Sequence, residues 1–296
     1  MGDRENTVVL FFIDGLGIGR FENENPLASI PDVAPLANFI DHEEEIPFGG
    51  VLARTDPRLG IEGRPQSASG QTTILTGINA PKLLGYHKQG FPNQALRDII
   101  AVHSVFKQLD DMEIGPNVFA NAYTPRFFTE GPRWKSATTC GVEASSMGFR
   151  KIPDLLGRQA LFHDFTNEGL RAMGFDVPVF STAEAARVLN SLASEHRFTL
   201  YEHFITDKIG HDRDLEKAAV HLPVLARLIR ETLEMIDLEK TTFILTSDHG
   251  NIEDLSVRNH TLNDVPTIIW GRKKEETVAR IKDLADITPA ILALLR

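Results

Sequence analysis

Acidic and imidazole side chains gather where an apolar run of the sequence stops. Residues 241–246 read TTFILT, and Ser247, Asp248, His249 and Gly250 follow at once. Asp and Gly are common turn residues, so this stretch alone fits a plain turn. Carboxylate and imidazole are also ligands of divalent metal ions, and chemistry in open α/β sheets collects beyond the carboxyl ends of the strands. The residue types that follow the other predicted strands distinguish a plain turn from a metal site.

Two further apolar runs end on an aspartate. Residues 7–13 (TVVLFFI) precede Asp14, and residues 198–206 (FTLYEHFIT) precede Asp207. Such runs predict strands that are buried on both faces. Histidines stand nearby in sequence, namely His211, His249 and His260. Right-handed crossovers would bring the strand ends to one edge of a sheet, so we expect three aspartates and three histidines to converge there.

Carboxylates crowded at one edge repel each other and are costly to bury. Two divalent cations would remove that cost. Imidazole together with carboxylate suits Zn or Mn, and two such ions about 3.5 to 4 Å apart can hold the attacking and leaving oxygens of a phosphoryl displacement.

Two loops rich in small residues could approach such a site. Residues 63–77 (GRPQSASGQTTILTG) lead into a predicted helix, and either Ser67 or Ser69 could be its N-cap. Residues 15–19 (GLGIG) lack the G-x-G-x-x-G spacing of dinucleotide-binding loops. Glycines that let the backbone pass close to a site are the better interpretation.

Composition limits the class of protein. With 296 residues, 42% of them hydrophobic, we expect one α/β domain spanning 1–296, with residues 80–180 as a possible small cap or loop insertion. The net charge of -10 argues against binding nucleic acid or an anionic membrane. The single Cys140 excludes an internal disulfide. The first apolar run is too short for a signal sequence or a membrane span, which predicts a cytoplasmic protein.

Strand and helix patterns alternate along most of the chain, which predicts a mainly parallel sheet with helices on both faces. Apolar spacing predicts single helices at residues 33–40, 94–109 and 182–194. A longer helix is expected at residues 215–236, where Pro223 should kink or divide it. We also expect strands at residues 49–54, 117–123 and 267–270, and a closing amphipathic helix.

Five motifs, in order, resemble the alkaline phosphatase superfamily of metalloenzymes, and most of all its cofactor-independent phosphoglycerate mutases and phosphopentomutases. The family motifs are D-G, S-x-x-G-H, D-x-x-x-H, S-D-H-G-N with a following acid, and H-T-x-N-x-V-P. The corresponding residues here are Asp14-Gly15, Ser67 to Gln71, Asp207 to His211, Ser247 to Asn251 with Glu253, and His260 to Pro266.

The resemblance implies an alkaline phosphatase-like fold and two divalent metal ions. It assigns Asp207, His211 and His260 to one ion, and Asp14, Asp248, His249 and the Ser67 oxygen to the other. It also implies that Ser67 is the nucleophile, because the family serine stands three residues before the motif glycine, here Gly70. The reaction would transfer a phosphoryl group from a small phosphorylated substrate through a phosphoserine.

Two departures from the family pattern limit what the resemblance implies. Gln71 stands where the mutases have histidine, and its role is open. The mutases also carry a large inserted domain that holds their sugar acid, whereas residues 68–206 here must also supply several core elements. Arg64 and Lys88 lie near the nucleophile in sequence and are candidate phosphate contacts, with solvated surface charge as the alternative.

Three functions remain open from the sequence. The first is a phosphatase or phosphodiesterase, which we favour because residues 68–206 leave little room for a domain that would shelter a phosphoenzyme. The second is a phosphomutase of the phosphoglycerate mutase type, and the third is a metal-binding scaffold without catalysis. Sulfatase chemistry is disfavoured because the C/S-x-P-x-R pattern is missing around Ser67. Substrate, native metal and oligomeric state are not determined by these residues.

Overall fold

A mixed six-stranded sheet forms the centre of the molecule. The computed structural model describes residues 6–296. The strands are β1 Thr7–Ile13, β2 Val51–Thr55, β3 Asn117–Phe119, β4 Ala122–Tyr123, β5 Arg150–Lys151, β6 Phe198–His203, β7 Thr241–Thr246 and β8 Val265–Trp270. The order in the main sheet is β2-β8-β7-β1-β6-β3, and β4 and β5 form a separate parallel pair.

Parallel pairing dominates the half of the sheet that carries the site. Strand β1 pairs in parallel with both β6 and β7, and β3 pairs in parallel with β6. Strand β8 is antiparallel to β7 and to β2, so the sheet is mixed at that edge. The predicted fold class, an α/β protein with a mainly parallel sheet, is confirmed.

Helices surround this sheet. They are α1 Pro26–Ser29, α2 Ser67–Thr76, α3 Ala80–Leu84, α4 Gln94–His103, α5 Val105–Asp111, α6 Pro125–Thr129, α7 Ala137–Glu143, α8 Ile152–Leu156, α9 Glu168–Ala172, α10 Thr182–Glu195, α11 Ile205–Asp212, α12 Leu215–Met235, α13 Lys274–Val278 and α14 Ile287–Leu295. Short 3₁₀ helices span Pro47–Gly49 and Leu284–Asp286.

The two faces of the sheet carry separate apolar cores. Alternate side chains of β1 point to opposite faces, as the two-residue period of a strand requires. Val9, Phe11 and Ile13 pack in the cluster that contains the buried residues of α10 and α12. The side chains between them pack with α5 and α14 on the other face; these are Val8, Leu10 and Phe12. Helices therefore cover both faces, as the apolar runs predict.

Several helix predictions need correction. Residues 33–40 are not helical and contain a turn at residues 34–36, because Pro35 lacks an N–H donor and disfavours helical geometry in the residue before it. The region predicted as one helix at 94–109 is two helices, α4 and α5. Ser104 separates them, and its hydroxyl accepts a hydrogen bond from the Lys107 amide at 3.4 Å, which caps α5.

The long helix α12 is not divided. Pro223 lies inside it, and the helix continues to Met235. Leu222, Leu225 and Ile229 are fully buried along one side, so tertiary packing outweighs the lost backbone hydrogen bond. The helix at residues 182–194 is confirmed as α10, which begins with a capping box between Ser181 and Glu184.

The middle of the chain contributes to more than one structure. Within residues 80–180, β3 belongs to the main sheet, whereas β4 and β5 form the small pair. Whether part of this stretch is a separate cap stays a prediction. Within residues 6–296, no helix is both long enough and apolar enough to cross a membrane.

Candidate active site

Two of the predicted aspartates meet because their strands are neighbours. Asp14 directly follows β1, and Asp248 lies two residues beyond β7. In the parallel β1–β7 pair, Phe12 lies opposite Thr246, so both strands end at the same level. The loops are joined further by the Leu16 amide, which donates to the Ser247 hydroxyl at 2.9 Å.

The third aspartate reaches the same place from a helix. The prediction that Asp207 ends a strand is wrong, because β6 stops at His203 and Asp207 lies in the first turn of α11. His211 follows one turn later on the same helix face. Its Nε2 lies 3.3 Å from Asp207 Oδ2, so the D-x-x-x-H spacing puts both side chains into one site.

The nucleophile candidate lies at the start of α2. Ser67 is the first residue of this helix, and its Oγ is 3.0 Å from His249 Nε2. Ser69 is fully buried instead; its hydroxyl accepts from the Lys88 amide at 3.0 Å and contacts the Gln66 carbonyl oxygen at 3.2 Å. Ser67 therefore faces the ligand cluster, while Ser69 is engaged within the protein.

Backbone carbonyls orient the histidine rings. His260 donates Nδ1–H to the Pro65 carbonyl oxygen at 2.8 Å, and His211 donates Nδ1–H to that of Arg258, also at 2.8 Å. Their Nε2 atoms are 3.2 Å apart. His260 also stacks on His249 with 3.6 Å between ring centroids. Histidines that ligate metals commonly donate their other N–H in this way, which leaves Nε2 free for the ion.

Burial and mutual charge disturb the ionisation of the cluster. Burial, followed by repulsion between carboxylates, raises the pKa of Asp14 and of Asp248 well above the usual range. Burial lowers the pKa of His249 to about 3. For Asp207 burial acts upward, but His211 and other partners outweigh it and lower its pKa to about 2. The hydrogen bond to Asp207 raises the pKa of His211 to about 9.

The donor set fits divalent cations. Ligand atoms of Asp207, His211 and His260 lie within 4.8 Å of one another, and so do those of Asp14, Asp207 and His249. Asp14 Oδ1 is buried and accepts no hydrogen bond. A buried carboxylate oxygen without a donor, beside further carboxylates and imidazoles, is an environment that a cation would stabilise. All seven predicted ligand residues lie in or against this cluster, the remaining two being Ser67 and Asp248.

Gln71 has a definite place in the cluster. Its Nε2 donates to Asp14 Oδ2 at 3.0 Å and to Asp248 Oδ2 at 3.1 Å. A single amide group thus satisfies one oxygen of each buried carboxylate. The glutamine that departs from the family motif therefore holds two predicted ligands in position.

Glu253 joins the loop after β1 to the loop between β7 and β8. It is buried, and its carboxylate accepts hydrogen bonds from the Gly17 and Asn251 amides at 3.0 and 2.7 Å. It also accepts from the Thr261 hydroxyl and from Asn263 Nδ2. A Cβ on Gly17 would come within 2.1 Å of this carboxylate, so the glycine is required by close approach.

The two predicted substrate contacts lie outside the cavity. Arg64 donates to the His260 carbonyl oxygen at 2.6 Å, and Lys88 donates to that of Gln89 at 2.7 Å. Neither side chain is among those that line the cavity next to Ser67. Their roles as phosphate contacts stay predictions.

A cavity of about 720 Å³ opens beside Ser67, Asp14 and Asp207. Sequence reasoning missed several of its polar walls, including Asn121, Glu202 and Lys208. Glu202 is buried, and burial raises its pKa. The acid inside the otherwise apolar run FTLYEHFIT is the sequence signal that could have identified Glu202 as a residue of the site.

Comparison with known proteins relates part of the chain to metalloenzymes. Residues 171–296 match the family model described as the metalloenzyme superfamily. The 2,3-bisphosphoglycerate-independent phosphoglycerate mutase of Antithamnion sp. is 28% identical over 134 residues, which cover 41% of this chain and 26% of that protein. The corresponding protein of Ehrlichia canis is 32% identical over 98 residues, covering 30% and 19%. The chain thus spans about a quarter or less of the length of these relatives.

Solved structures agree in fold. The PH0037 protein of Pyrococcus horikoshii aligns with a TM-score of 0.57 at 16% identity, covering 99% of this chain and 97% of its own. The cold-active alkaline phosphatase of Shewanella sp. aligns with a TM-score of 0.55 at 13% identity, covering 98% and 100%. At such identities the likeness shows the fold alone. The C-terminal part of the chain is thus similar to the metalloenzyme superfamily and to 2,3-bisphosphoglycerate-independent phosphoglycerate mutases, and the whole chain shares the fold of an alkaline phosphatase.

Proposed function

We propose that the chain is a phosphoester hydrolase that uses two divalent metal ions and forms a phosphoserine at Ser67. The observation that supports this most directly is the position of the Ser67 hydroxyl. It lies 3.0 Å from His249 Nε2 and lines the same cavity as Asp14 and Asp207. A hydroxyl beside a dense set of ligand atoms and open to a cavity is placed to attack a substrate.

Metal ions bound by these residues, Mn or Zn by the chemistry of the donors, would lower the pKa of the serine hydroxyl and balance the charge on the phosphoryl oxygens. Ser67 Oγ would lose its proton and bond to phosphorus. The bond from phosphorus to the substrate's alcohol oxygen would break, and the alcohol would leave with a proton. Water would then cleave the phosphoserine, which restores the Ser67 hydroxyl and releases inorganic phosphate.

The chain contributes orientation to this reaction. Asn251 donates through Nδ2 to Asp207 Oδ1 at 2.6 Å, and Gln71 holds Asp14 and Asp248. No side chain caps the start of α2, and its first backbone N–H groups and the helix dipole favour an anion beside Ser67. Such preorganised groups are what a charge-spread phosphoryl transition state requires.

A phosphomutase is the second candidate, favoured by the similarity to named phosphoglycerate mutases. Its substrate would carry a further anionic group. Among cavity-lining residues of the described chain, Lys208 is the one lysine or arginine, and no arginine lines the wall. Because the cavity offers so little positive charge away from the predicted ligands, we favour hydrolysis.

Turnover of p-nitrophenyl phosphate by protein supplied with Mn or Zn tests the proposal. We expect Ser67→Ala to abolish turnover while the metal content of the variant stays at about two ions per chain. Ser69→Ala is the matched control and should keep most of the activity. Full activity in Ser67→Ala would overturn the serine mechanism, and absence of all phosphoester turnover with intact metals would favour the scaffold interpretation.

Labelled 3-phosphoglycerate separates hydrolase from mutase. Release of inorganic phosphate without positional transfer supports hydrolysis. Movement of the label to the neighbouring hydroxyl, with little phosphate released, would establish the mutase instead.

A further inference from the structure

Aromatic side chains form part of the wall of the cavity that opens beside the ligand cluster. Six lining residues carry phenyl or phenol rings, namely Phe91, Phe119, Tyr123, Phe127, Phe162 and Phe204. Four of them are not fully buried: Phe91 is 44% exposed, Phe204 is 39% exposed, and Tyr123 and Phe127 are half-buried. When a ligand covers aromatic surface that faces a cavity, that surface is removed from water, and this favours binding.

These rings are held in place by their neighbours. Tyr123 packs on Phe127 with 4.5 Å between ring centroids, and its hydroxyl is 2.8 Å from Thr139 Oγ1. Phe204 stacks on His163 with 4.3 Å between centroids and 12° between planes. Burial lowers the pKa of His163 to about 4, so this lining imidazole is neutral at physiological pH. The wall is therefore preformed and largely uncharged.

The charged groups at the cavity do not favour a second anion on the substrate. Lys208 is exposed at the rim, and the described lining includes no other lysine or arginine. Glu202 faces the cavity from β6, and Asp212 lies at the end of α11. A carboxylate or second phosphate on the substrate would meet these acids, with Lys208 as the one lysine or arginine of the described lining to offset them.

The size of the cavity points the same way. Its volume of about 720 Å³ is in the range of cavities that enclose ligands much larger than a phosphate group. A small polar phosphoester would leave the aromatic wall in contact with water. A flat apolar ring fills such a space and stacks on phenyl rings.

We propose that this cavity binds the alcohol portion of the substrate, and that this portion carries an aromatic or similarly flat, apolar ring. The proposal rests on the hydrolase function proposed for Ser67, whose hydroxyl lies at the edge of the same cavity. Phe127 and Phe91 determine specificity by contact with the ring, while the reacting phosphoryl group stays at Ser67.

Benzyl phosphate and methyl phosphate test the proposal, because their alcohols are similar in acidity and differ mainly by a phenyl ring. For the metal-loaded protein we expect kcat/KM for benzyl phosphate to exceed that for methyl phosphate by at least about 10-fold. Equal values for the two esters would overturn the ring-binding proposal and leave the hydrolase function standing. Ser67→Ala should abolish both reactions, which tests the hydrolase function separately.

Phe127→Ala and its neighbour form the matched pair of variants. Phe127 lines the cavity, whereas Phe128 on the same short helix does not, and it lies under Lys151 Nζ at 4.8 Å from the ring centroid. We expect Phe127→Ala to lower kcat/KM for benzyl phosphate about 5- to 10-fold, with little change for methyl phosphate. Phe128 packs on Phe127 with 5.1 Å between ring centroids, so Phe128→Ala should lower kcat/KM for benzyl phosphate less than Phe127→Ala does. If Phe127→Ala does not fold, Phe91→Ala at the exposed rim provides the same test.

Binding of non-hydrolysable analogues decides the matter if neither ester is cleaved. Calorimetric titration of the metal-loaded protein with benzylphosphonate and methylphosphonate should show at least about 10-fold tighter binding of the benzyl compound. Equal affinities, or failure to bind benzylphosphonate, would overturn the proposal.

Discussion

Ser67 Oγ and His249 Nε2 lie 3.0 Å apart, although 182 positions separate the two residues in sequence. The contact exists because β1 and β7 end side by side and α2 begins beside them. Asp248 is close to the same helix: a Cβ on Gly70 would lie 3.1 Å from its Cβ. The small residues of the S-x-x-G loop therefore let the nucleophile approach the predicted ligands.

Gln71 should matter most when metal is removed. Gln71→Leu leaves the Asp14 and Asp248 oxygens without their amide donor, and unsatisfied buried acceptors cost about 1 to 3 kcal/mol each. We expect chelator-treated Gln71→Leu to lose roughly 2 to 4 kcal/mol of unfolding free energy. The loss should be smaller with metal bound, since cations also stabilise the carboxylates. Urea titration measures both states, with exposed Gln89→Leu as control, and an equal loss in the two states would contradict this role.

Glu253 should position the ligands without touching substrate. The Glu253 carboxylate accepts hydrogen bonds from two backbone N–H groups and from the side chains of Thr261 and Asn263. In Glu253→Gln, the amide NH₂ is a donor and would face some of these donors, so hydrogen bonds would be lost. We expect a loss of about 2 to 4 kcal/mol in unfolding free energy. Metal affinity should fall about 10- to 100-fold.

Metal titration and chemical denaturation measure these two effects of Glu253→Gln. Exposed Glu62→Gln is the control for removing a negative charge. Wild-type metal affinity in Glu253→Gln would show that the hydrogen bonds to Glu253 do not support the ligands.

The endings of two strands were readable from sequence because an apolar run that stops at a ligand-type residue marks the edge of a sheet. Asp14 and Asp248 follow that rule. Asp207 does not, because the apolar residues Phe204 and Ile205 continue the pattern past the end of β6 while the backbone already turns into α11. Asp207 nevertheless lies beside His211 as the family resemblance implies, because the four-residue spacing in α11 places both on one helix face.

The aromatic wall could not be predicted from the sequence. Phe91, Phe127 and Phe204 are far apart in the chain, and an isolated aromatic residue in a sequence predicts core packing as readily as a ligand contact. Gln71 shows the same limit, because only the fold brings its amide between two carboxylates. The role of a residue that acts where several loops meet cannot be predicted from the sequence alone.

His221 should make stability depend on pH. Burial lowers the pKa of His221 to about 4, whereas the pKa of a histidine in the unfolded chain is about 6.5. As the pH falls, the unfolded chain takes up a proton on His221 before the folded protein does. The contribution of neutral His221 to the unfolding free energy is therefore complete above pH about 6.5 and is lost as the pH falls to about 4. We expect the unfolding free energy of wild type to fall by about 1 to 2 kcal/mol more than that of His221→Phe over this interval.

Urea midpoints measured across that pH range test this role of His221. His203 stacks on His221, and their Nε2 atoms are 2.8 Å apart, so the variant also alters the surroundings of His203 and the comparison reports on the His203–His221 pair. His163, whose pKa burial also lowers, is unchanged in the variant. Exposed His103→Phe is the control. Equal slopes in wild type and His221→Phe would contradict the prediction.

Identifying the phosphorylated residue tests the central claim most directly. Metal-loaded protein is mixed with p-nitrophenyl phosphate, quenched in acid during the first turnover, digested and analysed by mass spectrometry. We predict a phosphoryl group on Ser67 in wild type and none on the corresponding peptide of Ser67→Ala. A phosphoryl group on another residue, or continued turnover by Ser67→Ala, would contradict the account.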